Sequence, residues 1–528
     1  MQDIWWKNAV GYQIYIKSFA DSNNDGIGDL KGIDEKLDYI KSLGVNFIWI
    51  TPFYDSPMDD NGYDIRDYCK VDQSFGQMED LKKLISKAHK KGIKVIIDLV
   101  LNHTSDENEW FIKSENKEGK YTDFYIWKDP VYKDGKRCPP NNWQSFFTGP
   151  AWKWSEKRQQ YFLKIFSTKM PDINFENEFA FSSLLKVIDF YAKLKVDGFR
   201  VDAISHIGKD PMYRDGKKSK TYKRFSNLES THRYLKRFGE KFAENNLVTM
   251  GELGGDPSKQ DIIRYTTQGE LDMVFSFEHT RCFKENGTID AKCLYKALKF
   301  KQSIINKNGW SALFWLNHDY PRLPSKVYGT SDPKACQLAL AALMYLQKGT
   351  PVVYNGEEIG MTNFPFTKIS QFDDCNAKMM ADNSDDKEGV LNFLKKGSRD
   401  NARTIMQWEN AKNAGFSEKK PWFVVNPNYK KVNVKTEDSD SQSILNHYRR
   451  IFALREQLRE EIISGKMTLF RKKNVIGYTI KANNTYMVVA NLGESAVDMK
   501  NLDGEVLYSN VITQNNSLVP YEVRVIKK

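Results

Sequence analysis

Residues 197–202 read DGFRVD, a short apolar run that is typical of a β-strand and that ends in a carboxylate, Asp202. The same arrangement recurs as TMGEL around Glu252 and as LNHD, which ends in Asp319. We therefore expect each carboxylate to project from the C-terminal end of its own strand. Carboxylates that converge on one pocket from different strand ends are how a barrel enzyme assembles acid, base and nucleophile. The pattern predicts such a pocket here.

Short apolar or β-branched runs alternate with longer amphipathic stretches over most of the chain. Helical patterns fill the gaps between these runs, for example at residues 78–91 and 184–194. Eight repeats of strand and helix predict an α/β fold, a (β/α)8 TIM barrel. The predicted strands are residues 11–15, 47–51, 95–100, 198–201, 248–251, 273–277, 313–316 and 351–354.

Three segments depart from this alternation. The long gap after the third strand is rich in Trp, Tyr, Asn, Pro and Gly, which predicts an inserted lid subdomain. A second polar insertion follows the eighth strand, and short alternating runs near the end predict a C-terminal antiparallel β-domain. The predicted organisation is barrel at residues 1–103 and 172–463, lid at 104–171, insertion at 363–435 and β-domain at 464–528.

Composition argues against several classes of protein. The formal net charge is +11, but lysines are dispersed among acids rather than concentrated in a basic stripe, so we expect no nucleic-acid partner. No apolar run approaches the roughly 20 residues that span a bilayer, so we expect no membrane partner. The six cysteines form no CxxC motif and are predicted to be reduced thiols. Since the first ten residues lack a signal-like apolar core, we expect a cytoplasmic monomer.

The three carboxylate motifs, together with DLVLNH at residues 98–103, resemble the α-amylase superfamily, glycoside hydrolase family 13. The resemblance is strongest to the branch of oligo-1,6-glucosidases, dextran glucosidases and α-glucosidases. It implies that Asp202 is the nucleophile, Glu252 the general acid/base and Asp319 the stabiliser of the transition state. It also implies a retaining, exo-acting hydrolase that takes a small oligosaccharide and needs no organic cofactor.

The residues themselves suggest different environments for two of these carboxylates. Arg200 lies two positions before Asp202 and points to the same face of the strand, so its charge favours the ionised nucleophile. Glu252 has apolar neighbours in sequence, and desolvation would raise its pKa as a general acid requires.

The resemblance also implies residues that hold the terminal sugar. Tyr63 matches a residue that stacks on the terminal glucose and Asp64 one that binds near its 4-hydroxyl, while Arg403 matches an arginine that clamps this glucose. An Asp64–Arg403 pair is therefore predicted to close the pocket beyond the first sugar. The same resemblance assigns four further substrate-binding residues besides Arg200, which are His103, Phe147, Phe166 and His318.

The segment DSNNDGIGD at residues 21–29 places oxygen-bearing side chains at its positions 1, 3, 5 and 9 and glycine at position 6. This is the first part of a calcium-binding loop, although Gly32 stands where an EF-hand has its closing glutamate. The resembled branch carries such a loop with bound calcium. A structural Ca2+ is thus predicted, with an ion-free turn as the alternative, and the expected ligands are Asp21, Asn23, Asp25, Ile27 and Asp29.

The substrate remains open between α-1,6 and α-1,4 linkages. The segment MPDIN begins with Met170, whereas the oligo-1,6-glucosidase branch usually begins it with Gln, and Ala203 stands where Val accompanies α-1,6 preference. Trehalose-6-phosphate hydrolysis is an alternative that needs cations near the leaving sugar, which the lysines of residues 215–220 could supply. A non-catalytic, transporter-associated homologue is a further alternative, but such proteins have a membrane anchor and lose catalytic positions.

Overall fold

The computed structural model describes residues 4–511 and 516–528. Its central sheet contains eight strands, which we label β1 to β8 and which are parallel to their neighbours in the order β6-β5-β4-β3-β2-β1-β8-β7. A parallel bridge between Val274 and Ser311 joins the two outermost strands and closes the barrel. Strands β1 to β8 span Gly11–Ile14, Phe47–Ile50, Lys94–Val100, Gly198–Asp202, Val248–Glu252, Met273–Phe275, Ala312–Leu313 and Thr350–Tyr354.

A ring of helices surrounds the strands, as the sequence pattern predicts. In the helix Met78–Lys90 the apolar residues are spaced three and four apart, so Leu81, Leu84, Ile85 and Ala88 are buried together on one face. The (β/α)8 prediction is therefore confirmed. In chain order the outer helices are Leu30–Glu35, Leu37–Ser42, Met78–Lys90, Glu178–Lys193, Glu229–Glu244, Lys259–Thr267, Ala291–Ile305, Pro333–Tyr345 and Ile444–Gln457.

Outside the barrel, the described residues form a three-stranded sheet, a five-stranded sheet and three two-stranded sheets. Between β3 and β4, a three-stranded antiparallel sheet has its own aromatic core, and its strands are Trp127–Lys128, Gln160–Leu163 and Trp152–Ser155. The C-terminal sheet has five antiparallel strands, which confirms the predicted β-domain. In spatial order these are Lys466–Lys472, Val475–Lys481, Thr485–Asn491, Val523–Lys527 and Glu505–Ser509.

The segment that follows β8 forms part of the rim of the barrel. It contains the helices Cys375–Asp382, Lys387–Gly397 and Val434–Ser439, and a short 3-10 turn, Arg399–Asn401. The 3-10 turn places Arg399 next to Asp60, which lies far earlier in the sequence, at one end of the barrel. None of the helices in the described ranges, 4–511 and 516–528, is long and apolar enough to cross a membrane.

The prediction that all six cysteines are reduced thiols is wrong for two of them. Cys282 and Cys293 form a disulfide with their Cα atoms 5.3 Å apart. The chain turns back between them, with a bridge from Phe283 to Ile289, and Cys293 lies in the first turn of the helix Ala291–Ile305. Their spacing of 11 residues matches no short cysteine motif, so this pairing depends on the fold of the turn.

Candidate active site

A pocket of about 200 Å³ lies at the carboxyl ends of the barrel strands. Asp202 and Glu252 are the last residues of β4 and β5, so the backbone of each strand carries its carboxylate directly to the pocket. The complete lining is Asp60, Tyr63, His103, Phe147, Phe166, Met170, Asp202, Ala203, Glu252, His318, Asp319 and Arg399.

Arg200 organises the carboxylates at the centre of this pocket. One terminal nitrogen of its buried guanidinium lies 2.6 Å from an oxygen of Asp202 and 2.6 Å from an oxygen of Asp98. The other terminal nitrogen lies 2.7 Å from Glu252. Because Asp202 and Glu252 share one planar cation, their carboxyl groups face each other at short range. Retaining glycosidases need two carboxyls at such short range, about 5–5.5 Å apart, whereas inverting enzymes hold theirs farther apart.

The electrostatics of Asp202 differ from the expectation based on Arg200 alone. Burial raises the pKa of Asp202 well above its usual range, Arg200 opposes this effect, and the adjacent carboxyl of Glu252 raises it further. One guanidinium is shared among three carboxylates, so its charge does not fully compensate any of them. The carboxyl of Asp202 thus retains its proton to higher pH than an exposed aspartate would.

Asp319 has the opposite environment. Burial acts to raise its pKa, but His318 and the guanidinium groups of Arg399 and Arg403 hold it below the usual range. Arg403 donates to its carboxylate at 2.9 Å. Asp319 is therefore a permanent negative charge in the pocket. The pocket so combines an ionised carboxylate with two further carboxyl groups, those of Asp202 and Glu252, which is the set of groups that acid-assisted cleavage of an acetal requires.

Two histidines face the pocket in neutral form. Burial lowers the pKa of His103 and of His318 to about 3. The Nε2 atom of His103 is buried and has no hydrogen-bond partner among the described residues, so it is available to a ligand hydroxyl. His318 is stacked against the ring of Tyr63 at 5.2 Å, and its Nδ1 lies 2.8 Å from the side-chain amide of Gln13.

An ion pair between Asp60 and Arg399 forms one wall of the pocket. The guanidinium of Arg399 lies 2.7 Å from Asp60 and also contacts the carboxylate of Asp374 and the thiol of Cys375. Within the described part of the chain, these three side chains are the one group of His, Cys or acidic residues close enough to share a metal ion. Since the guanidinium already contacts all three, their arrangement is that of an arginine site.

The structure does not bring Asp64 and Arg403 together as the sequence interpretation expected. The buried carboxylate of Asp64 accepts hydrogen bonds from the backbone of Asp59 and Asp60, at 2.8 and 3.0 Å, and so shapes the turn that presents Asp60. Arg403 lies behind the pocket and contacts Asp319 instead. The pair that borders the pocket is Asp60 with Arg399, each four residues upstream of the residue expected.

Sequence reasoning therefore missed Asp60 and Arg399 as pocket residues. The other predicted side chains Tyr63, Phe147 and Phe166 do line the pocket, and Arg200 lies directly behind it. A signal was present, because each missed residue has the same type as the predicted one and stands four positions before it in the sequence. Each motif offers two candidates four residues apart, and the choice between them depends on the turn conformation.

A larger cleft of about 620 Å³, which we call the outer cleft, continues from this pocket. It shares Phe166, Ala203, Glu252 and Asp319 with the pocket. Its remaining wall includes Phe146, Asp256, Phe277, Glu278, Arg281 and Tyr320. The lysines of residues 215–220 line neither space, since this segment lies against the lid, where the backbone of Gly216 pairs with Asn142.

The acidic loop at residues 21–29 lies apart from the pocket and is tightly folded. The carboxylate of Asp21 accepts from the backbone of Asn24 and Gly26, and Asp29 accepts from Ser22. A side chain at Gly26 would collide with the carbonyl of Lys420, so this position of the loop requires glycine. By atom type the donor set, all carboxylate, amide and carbonyl oxygen, fits the preference of calcium, but the loop's three carboxylates are not among the described side chains that lie close enough together to share an ion.

Comparison with known proteins agrees with this geometry. The family model described as "Alpha amylase, catalytic domain" matches residues 13–465. The chain is 39% identical to the oligo-1,6-glucosidase of Bacillus cereus, with 100% of both chains covered. It is also 39% identical to the glucan 1,6-alpha-glucosidase of Streptococcus pneumoniae, covering 98% of this chain and 96% of that protein.

Among solved structures, the trehalose-6-phosphate hydrolase of Bacillus licheniformis superposes with a TM-score of 0.91. It shares 36% sequence identity, and the match covers 99% of each chain. Its fold therefore resembles this one over essentially its whole length, including the lid and the C-terminal sheet.

Proposed function

Because the chain belongs to the α-amylase family of glycoside hydrolases, we propose that it is a retaining, exo-acting α-glucosidase. It releases terminal α-linked glucose from short oligosaccharides through α-1,6 or α-1,4 bonds, in the manner of an oligo-1,6-glucosidase. The observation that carries this proposal is the Asp60–Arg399 ion pair, which borders the pocket beside the shared carboxylates.

The proposed reaction has two displacements at one carbon. A carboxylate oxygen of Asp202 attacks the anomeric carbon while Glu252 gives its proton to the glycosidic oxygen, and the leaving sugar departs as an alcohol. Glu252 then takes a proton from water, which attacks the same carbon, breaks the ester to Asp202 and releases glucose in its original α configuration. Asp319, permanently ionised, hydrogen-bonds ring hydroxyls and favours the positive charge of the transition state.

Exo action follows from the shape of the pocket. Asp60 and Arg399 offer one acceptor group and one cation to the hydroxyls of a single non-reducing glucose, with the neutral His103 on an adjacent side. A chain that continued beyond this glucose would have to break the ion pair and leave buried charges uncompensated, which is costly. The pocket thus selects chain ends.

A substrate panel tests this function. We expect the highest kcat/KM on isomaltose, panose or maltose, with glucose as the released product. A preference for trehalose-6-phosphate would assign the chain to the alternative activity, whereas internal cleavage of long glucans would contradict exo action. The ratio of isomaltose to maltose decides the linkage preference.

We also propose that the loop of residues 21–29 binds one structural Ca2+. The oxygen atoms of Asp21, Asn23, Asp25, Asp29 and the Ile27 carbonyl would hold it, and its role would be to stabilise the loop. The test is a calcium titration followed by the melting temperature. Calcium should raise Tm in the protein and not in the Asp25→Ala variant, and an equal effect of calcium on both would contradict the site.

A monomeric state and a cytoplasmic location complete the proposal. Light scattering coupled to size exclusion tests the first, with an expected mass of one 61.3 kDa chain. Cell fractionation tests the second, and we expect the protein in the fraction that contains cytoplasmic marker enzymes rather than in the membrane or extracellular fraction.

A further inference from the structure

The outer cleft contains a carboxylate, Glu278, that the reaction itself does not use. It lies on the 3-10 turn Glu278–Arg281, on the far side of Glu252 from the Asp60–Arg399 wall. Glu252 would protonate the glycosidic oxygen, so whatever is attached to that oxygen must occupy the outer cleft. The wall around Glu278 is therefore the wall that meets the leaving group.

Glu278 is fixed in place by a buried lysine. The ammonium of Lys301 is fully buried and is anchored to the backbone oxygen of Ser276 at 2.7 Å and to its hydroxyl at 2.6 Å. It lies 3.5 Å from one carboxylate oxygen of Glu278, whose side chain is 32% exposed. Because the lysine holds the carboxylate from behind, the rest of the carboxylate is free to accept hydrogen bonds from the cleft.

The other charges near this wall are already paired or lie elsewhere. Arg281 lies 3.4 Å from Asp256, which also accepts a hydrogen bond from Tyr222 at 2.7 Å. Lys326 lies over the ring of Tyr320, 4.8 Å from its centre. Four carboxylates line the cleft, since Asp256 and Glu278 belong to it alone and it shares Glu252 and Asp319 with the pocket. One guanidinium, that of Arg281, stands against them.

A flat apolar surface lies next to Glu278. The rings of Phe277 and Tyr320 are stacked 5.5 Å apart with an angle of 22° between them. Such a surface suits the apolar face of a sugar ring, while the adjacent carboxylate accepts from hydroxyls at the ring edge. A phosphate has no hydroxyl of this kind to donate when ionised, and its charge would be repelled by Glu278.

We infer that Glu278 is the residue that selects the leaving group, accepting hydroxyls from a neutral sugar and disfavouring a phosphorylated one. This inference rests on the proposed α-glucosidase function and specifies its substrate class. The pairing with Lys301 sets the position of the carboxylate, so Lys301 is a positioning residue for this selection.

The test compares two substrates that differ in one group, maltose and maltose carrying a phosphate on carbon 6 of its reducing-end glucose. We expect the wild type to hydrolyse neutral maltose with a kcat/KM at least about tenfold higher, as like charges in a partly buried cleft require. In Glu278→Gln this ratio should fall about tenfold, chiefly through a gain on the phosphorylated substrate. Hydrolysis of p-nitrophenyl α-glucoside, whose leaving group has no hydroxyls, should change little.

Asp256→Asn is the matched control, since it removes a carboxylate of the same cleft that is already committed to Tyr222 and Arg281. We expect a smaller effect on the ratio than in Glu278→Gln. Product inhibition gives a second readout, with glucose 6-phosphate binding more tightly to Glu278→Gln than to the wild type. An unchanged ratio and unchanged inhibition in Glu278→Gln would overturn the inference while leaving the α-glucosidase function intact. A wild type that prefers the phosphorylated substrate would overturn both.

Discussion

At the scale of single residues, Arg200 explains why two carboxyls can have different roles in one pocket. It contacts Asp202 and Glu252 through different nitrogen atoms, and Asp98 takes part of its charge. Because this one cation is shared among three carboxylates, it does not fully compensate Asp202, whose pKa burial raises. The two roles should therefore be separable by removing each carboxyl in turn.

We predict that Asp202→Ala and Glu252→Ala each lose at least about two orders of magnitude in kcat, with little change in Tm. Azide then separates the roles when an activated aryl glucoside is the substrate. It should restore turnover in both, giving β-glucosyl azide with Asp202→Ala and α-glucosyl azide with Glu252→Ala, because only the former has lost the attacking carboxylate. Identification of the azide anomers by NMR checks this, and the reverse assignment of products would refute the roles.

The wall residues make a second prediction. Arg399→Gln leaves Asp60 and Asp374 without their shared cation, so kcat/KM for maltose should fall about a hundredfold. The control is Arg66→Gln, which breaks ion pairs with Asp55 and Glu107 away from the pocket and should keep normal activity. Equal losses in the two variants would mean that the arginine contributes only to general stability.

Ala203, directly after Asp202, has a left-handed backbone with φ of 47°. It lines both the pocket and the outer cleft, which agrees with a position that influences linkage preference. The Cβ of any L-residue costs about 1–2 kcal/mol in this conformation, which Ala203 already bears, and a branched Cβ adds to the crowding. We predict that Ala203→Val lowers Tm by a few degrees and raises the isomaltose-to-maltose ratio of kcat/KM, measured by calorimetry and by glucose release. Ala203→Gly is the control, since it should keep Tm without shifting the ratio toward isomaltose.

At the scale of elements, the barrel could be predicted because each of its strands corresponds to a short apolar run in the sequence. β3 and β4 are buried along nearly their whole length, so the run and the strand coincide. The strand ends then located Asp202 and Glu252 without any knowledge of tertiary contacts. The wall pair was not predictable in this way. Its two residues lie on irregular segments, whose turns depend on contacts made elsewhere in the fold.

The turn before Asp60 illustrates the difficulty. Met58 and Asn61 both have positive φ, and the side chain of Asp64 folds back onto the backbone of residues 59 and 60. In the sequence Asp60 and Asp64 look equivalent. In the structure the carboxylate of Asp64 stabilises the turn by accepting backbone hydrogen bonds, and Asp60 is the one that faces the pocket. The cysteine pair follows the same logic, since a spacing of 11 residues does not reveal which thiols meet.

The disulfide gives a prediction at this scale. It closes a short loop between the outer-cleft turn and the helix Ala291–Ile305, and a loop of this size is worth about 3 kcal/mol by its effect on the unfolded chain. A reductant should therefore lower the Tm of the oxidised wild type. The same reductant should leave the Cys282→Ser/Cys293→Ser double variant unchanged, and an equal response of both proteins would contradict the bond.

At the scale of the whole molecule, a buried acid links stability to pH. Glu357 is 1% exposed and accepts hydrogen bonds from Tyr345 and Tyr448, and its other carboxyl oxygen has no partner in the part of the chain that the structure describes. Burial raises its pKa from 4.5 to about 8, so the folded protein binds a proton there that the unfolded chain releases. Its contribution to stability is hence lost as pH rises from about 4.5 through 8.

We predict that Glu357→Gln becomes progressively more stable than the wild type over this pH range. The amide keeps the shape of the side chain and cannot ionise, so the difference in Tm between the two proteins should grow from pH 5 to pH 8.5 in the direction of the variant. Calorimetry at matched ionic strength measures it. A difference that is constant with pH would show that the carboxyl does not ionise on unfolding.

The wall formed by Asp60 and Arg399 also fixes the order of events in a turnover. With that end of the pocket blocked, the outer cleft is the route for every molecule that enters or departs. The leaving sugar must be gone before water reaches the glucosyl ester, and the released glucose exits last by the same route. An alcohol that enters the cleft after the leaving sugar has gone competes with water for the glucosyl group. At high sugar concentration the enzyme should therefore transfer glucose to another sugar and form a new glycosidic bond instead of hydrolysing one.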